Sequence, residues 1–128
     1  MTEPQSGLDY NSLMGITLKS LRSKKNILQS DLMQAAGVSR ATWSRIENGQ
    51  SSIDFTQLTS ILRECFDISL NDFFAYMSHL DKKLKVAIEE EAEEKDIDSN
   101  KFLMTLGALG VGAVVGFLAK QIADDWDV

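Results

Sequence analysis

From residue 13 to about residue 80, apolar residues recur at intervals of three and four, the spacing of helices buried along one face. Residues 13–25 read as a first helix with Ile16, Leu18 and Leu21 inside and Lys19, Arg22, Lys24 and Lys25 outside. In residues 29–49, QSDLMQAAGVSRATWSRIENG, Leu32, Ala35 and Ala36 give a short helix its apolar side. Gly37 follows, where a helix end favours a residue that tolerates a left-handed backbone. Val38 fills the turn, and Ser39 is a good N-cap for a next helix bearing Thr42, Trp43, Ile46 and Glu47 before Asn48-Gly49 stops it. Two short helices joined this tightly cross steeply, which leaves the outer face of the second free to enter a groove. After the turn Gln50-Ser51-Ser52, Asp54 caps a fourth helix to about Phe66 with Phe55, Leu58, Ile61 and Leu62 facing inward, and Cys65 is small core filler.

Gln29, Leu32, Gly37, Val38, Ser39, Ser44, Ile46, Glu47 and Gly49 stand at the spacing of a known motif. The stretch resembles the helix-turn-helix of Cro/CI-type (XRE-like) bacterial and phage regulators, and the match extends over about residues 13–79. Met33 departs from the alanine usual there, a change an unbranched side chain can absorb. The resemblance implies an all-α, five-helix, Cro/CI-like DNA-binding domain over residues 13–80. Residues 68–74 would form its final turn and the start of its fifth helix, with the pair Phe73-Phe74 closing the core. It also implies a structural ion pair between Arg22 and Glu47, and double-stranded DNA as partner. On the recognition helix, Arg40, Ala41, Thr42 and Arg45 would face base edges, because an arginine can offer two parallel donors to guanine, and Ala or Thr can touch a thymine methyl. Gln29, Ser39, Ser44 and Lys19 would contact the DNA backbone. Trp43 takes the inward apolar position of that helix.

A net charge of −6 is unusual for a DNA binder until it is divided by region. Residues 13–80 carry 7 Lys/Arg against 6 Asp/Glu, so the acidity lies elsewhere. It lowers non-specific DNA affinity without bearing on specific reading. With one cysteine, Cys65, and one histidine, His79, the chain offers no disulfide framework, no zinc set and no catalytic constellation. No enzyme, metal or cofactor is expected. The cysteine usage and the absence of a secretory signal suit the cytoplasm.

Residues 1–12, with Pro4, Ser6, Gly7 and Asn11, read as a flexible arm. Residues 81–100 read as an acidic helical linker, and from Met77 onward the apolar positions Met77, Leu80, Leu84 and Ala87 keep a spacing of three and four. That spacing suits either a short coiled-coil seam for a homodimer or a helix laying Leu84 and Ile88 on the domain. The run from Glu89 to Glu94 reads as a solvated face. Residues 102–119 are then 18 consecutive residues without a charge, within an apolar Gly-rich helix over 101–120. A helix of that length rises roughly 27 Å, near the thickness of a bilayer core. Lys101 and Lys120 bracket it, Trp126 lies where an interfacial aromatic would sit, and 121–128 is an acidic tail. Ala108, Gly112 and Gly116 form a ridge of small residues suited to helix packing. A membrane anchor through 102–119 and an oligomerising or partner-binding helix both fit.

The reading that follows is a sequence-specific transcriptional regulator, a dimeric repressor whose C-terminal helix tethers it or joins it to others. Two other readings stay open. One is a membrane-anchored scaffold whose helix-turn-helix binds protein; the other is an antitoxin-like regulator whose C-terminal helix is covered by a protein partner.

Overall fold

Five side chains start helices where the chain offers a short acceptor next to orphan backbone N–H groups. Asp9 accepts from Ser12 N at 2.7 Å, Ser39 from Thr42 N at 3.2 Å and Ser69 from Asp72 N at 3.0 Å. Asp98 accepts from Asn100 N at 2.7 Å. Asp54 forms a reciprocal capping box with Gln57, 2.7 Å in one direction and 3.1 Å in the other. A computed structural model describes residues 4–122, which fold into seven α-helices with no strand among them. They are α1 (Tyr10–Lys24), α2 (Gln29–Ala36), α3 (Arg40–Glu47), α4 (Phe55–Ile61), α5 (Leu70–Glu94), α6 (Ser99–Ala108) and α7 (Val111–Ile122). A π-helical turn, Leu62–Phe66, extends α4. The first five make the all-α domain expected from the sequence.

The two short helices of the motif meet at Gly37, whose φ of +70° closes α2 and turns the chain toward α3. On the far side, α1 lies against α3 so closely that a Cβ on Gly15 would sit 2.5 Å from the carbonyl oxygen of Glu47. A glycine in mid-helix is a weak helix former, and here it is what allows the two backbones to touch. Gly15→Ala is therefore expected to push α1 off the end of α3 and to cost about 1–3 kcal/mol, as overpacking does. Urea unfolding checks it, because a change below a few tenths of a kcal/mol would mean the backbones separate freely.

α5 runs unbroken from the domain through the acidic stretch to Glu94, and α6 begins at Ser99. Met77, Leu80, Leu84, Ala87 and Ile88 are all buried within the chain, so they are not an open seam for a second copy. What buries them is the C-terminal segment. The single helix expected over 101–120 is not formed, because Gly110 takes φ +96° and splits the apolar run into α6 and α7. The two fold back on α5, and α7 also packs on α1. Leu106, Val111, Val114 and Leu118 are buried there, and the rings of Phe102 and Phe117 meet at 5.6 Å to close the hairpin. Among the described residues no helix is long and apolar enough to cross a membrane. The small-residue ridge is broken as well: Ala108 ends α6, Gly112 and Gly116 lie on α7, and all three are exposed. Trp126 and the end of the acidic tail lie outside the described residues.

Residues 4–9 are held rather than free. The N–H groups of Gln5 and Ser6 donate to the two carboxylate oxygens of Asp81 at 2.7 and 2.9 Å, burying Ser6 and Asp81. Leu8 packs on the core, and Gly7 lies against Leu103. The expectation of a flexible arm followed from its lack of apolar periodicity, which says nothing about a carboxylate waiting 75 residues away. Phe55 was expected inside but is 66% exposed, and Phe74 is 43% exposed while Phe73 fills the core. Phe55 is the first residue after its cap, where the side chain projects beyond the helix face that carries Leu58 and Ile61.

Candidate nucleic-acid interface

α3 is fixed from behind. Trp43 and Ile46 are buried, Trp43 completely and with no partner for its indole N–H among the described residues, so it serves as apolar filler and no wedge for base steps. Glu47 is buried too and holds the end of the helix to α1. Arg22 donates to its two oxygens from Nε at 2.7 Å and from Nη2 at 3.1 Å, and Gln29 Nε2 donates at 3.2 Å. A paired guanidinium and carboxylate in this fork geometry fix direction as well as distance. One acid thus ties α1, α2 and α3 together.

With positions 43, 46 and 47 turned inward, helical geometry turns the opposite stripe outward. Arg40, Ala41 and Arg45 are exposed on α3, whose one acidic residue, Glu47, is buried on the other side. Thr42 and Ser44 are half-buried at its margins. Ser39 spends its hydroxyl on the cap, donating to Thr42 Oγ1 at 3.1 Å while accepting from Thr42 N. Gln29 is at the start of α2 with one amide donor already used on Glu47. Lys19 is elsewhere: its Nζ stands 3.6 Å from where a Cβ on Gly112 would be, in the packing of α1 with α7. The structure thus brings Arg40, Ala41, Thr42, Ser44 and Arg45 onto one helix, and sets Lys19 against the C-terminal hairpin.

Gly15 was not singled out from sequence, yet it sets how close α3 sits to the domain. Its only sequence signal is a glycine at an inward position of an otherwise good helix. Cys65 donates to the Asp31 carbonyl oxygen at 3.6 Å. Burial, then the charges of Asp31 and Glu64, push its thiol above the ordinary range, which disfavours the thiolate. Among the described residues no group of three His, Cys, Asp or Glu side chains is placed to hold a metal ion.

Residues 13–65 match a family described as a helix-turn-helix domain. Over these residues the chain is similar to XRE-like helix-turn-helix domains. Over 60 residues, 47% of the chain, it is 37% identical to the protein named antitoxin PezA of Streptococcus pneumoniae. The aligned part covers 37% of that protein, so the chain spans little more than a third of this relative's length. No solved structure matches.

Proposed function

We propose that this chain is a sequence-specific DNA-binding regulator, acting as a dimeric repressor in the cytoplasm, with α3 as its recognition helix. The observation that carries the reading is the two-sided character of α3. Trp43, Ile46 and Glu47 lock one side to the domain, and Arg40, Ala41 and Arg45 are left exposed on the other. Such a helix can enter a major groove with its arginines on guanine edges, while Ser44 at its margin and Gln29 at the start of α2 reach phosphates, joined by Ser39 once its hydroxyl turns away from Thr42. Arg45→Ala is expected to cost roughly 1–3 kcal/mol of specific binding and to relax the preferred base at one position. Binding measured across a set of single-base variants tests this, and equal discrimination before and after the change would remove Arg45 from the reading face.

The likeness to an antitoxin favours a second reading, a regulator that also holds a protein partner. Co-purification of one small protein with the full chain in stoichiometric amount would support it; recovery of the chain alone from its native cells would speak against it.

A further inference from the structure

Among the described residues two acids are buried, Glu47 and Asp81, and Asp81 is the one that α3 does not use. Pro4 to Gly7 form a β-turn, closed by Gly7 N donating to the Pro4 carbonyl oxygen at 3.3 Å. The N–H groups of its two central residues, Gln5 and Ser6, both point at the Asp81 carboxylate on α5. Past the turn, Gly7 takes φ +89° and lies so close to α6 that a Cβ there would sit 2.8 Å from Leu103 Cδ2, and Leu8 packs on the core. One short strap thus ties α5 to α6.

α6 is the helix that needs such a tie. Of its ten residues only Leu106 is buried, whereas α7 buries Val111, Val114 and Leu118. Phe102 and Leu103 are half-covered, and Met104 is 74% exposed. Both ends of α6 are sharp joints, with Asp96 at φ +55° before it and Gly110 at φ +96° after it. A helix with so little buried apolar surface, set between two such joints, is a unit that opens while its surroundings stay folded. We propose that α6 is a flap and that residues 4–9 are its latch, with Asp81 as the catch. Closed, the latch keeps α6 on α5 and in step with the domain. Released, α6 swings out on its two joints and uncovers apolar surface on α5, while α7 stays on α1 and α5 through its three buried side chains. The catch is a charge-assisted one: a buried carboxylate offers an acceptor to each of the two N–H groups, whereas an amide in its place would accept from one and turn its NH2 on the other.

The test is amide hydrogen exchange, followed by mass spectrometry, on the full chain beside Gln5→Pro and Asp81→Asn. Proline suits the second position of a β-turn, so Gln5→Pro keeps the shape of the strap and removes one donor to Asp81. Peptides covering α6 should exchange about tenfold faster or more in each variant, while those covering α1 and α3 keep their wild-type rates. Adding Gln5→Pro to Asp81→Asn should bring little further change, since donor and acceptor act as a pair. Acceleration that is equal in α1, α3 and α6 would make Asp81 an ordinary part of the core and overturn the proposal. So would α6 peptides that keep their wild-type rate, because the flap would then be held without the strap. Gln5→Pro leaves the buried carboxylate in place, so it decides the matter even where Asp81→Asn fails to fold.

Discussion

Truncating Leu118 to alanine is expected to destabilise the helix-turn-helix domain itself, by about 2–5 kcal/mol, although Leu118 lies outside that domain in the sequence. Its side chain is 1% exposed on α7, which rests on α1 and α5. Those two helices also carry the core of the domain, so the cavity would be felt by the whole unit rather than by the hairpin alone. The emission of Trp43, completely buried behind α3, reports the domain when Trp126 is replaced by phenylalanine. Its urea midpoint should fall together with the loss of helical signal. A Trp43 transition that stays in place while some helix melts early would mean that α6 and α7 form an independent appendage.

The second large effect concerns Arg22. Replacing it by alanine leaves the Glu47 carboxylate, whose side chain is 4% exposed, with Gln29 as its remaining hydrogen-bond partner. An uncompensated buried charge of this kind costs about 3–5 kcal/mol. The reverse change, Glu47→Ala, should cost less, because the Arg22 side chain is 21% exposed and can turn its charge to water. Exchanging both for methionine should recover most of the loss, since a well-packed apolar pair avoids desolvation altogether. Thermal unfolding of the three variants checks the order, and equal costs for the two single changes would contradict it. The Arg22→Ala protein should also bind DNA more weakly than its stability explains, because Glu47 fixes the end of α3.

How far the chain was legible depended on whether the signal was local. Ser39 and Asp54 are caps that act within three residues, and Gly37 needs only its own φ, so the starts of α3 and α4 and the joint of the motif could be read directly. The inward place of Trp43 and the pairing of Glu47 with Arg22 were legible through the family resemblance. What could not be read was the identity of the surface that covers an apolar one. Residues 102–119 are as suited to lipid as to protein, and several glycines could have broken them. Only the folded chain shows that Gly110 does, and that α1 and α5 provide the cover. The same ambiguity attached to Met77, Leu80, Leu84 and Ala87, whose spacing fits a partner helix in the same chain or in another. Gly15 and Asp81 depend on contacts with residues far along the sequence, which no local pattern records.

The central claim is that α3 reads DNA sequence through Arg40 and Arg45. The measurement that tests it most directly is selection from a random DNA pool by the full-length chain, beside an Arg40→Ala/Arg45→Ala control. The account predicts enrichment of two related half-sites about one helical turn, roughly 10–10.5 base pairs, apart, and loss of that enrichment in the control. Failure to enrich any sequence at low salt, or the same enrichment without the two arginines, would contradict it.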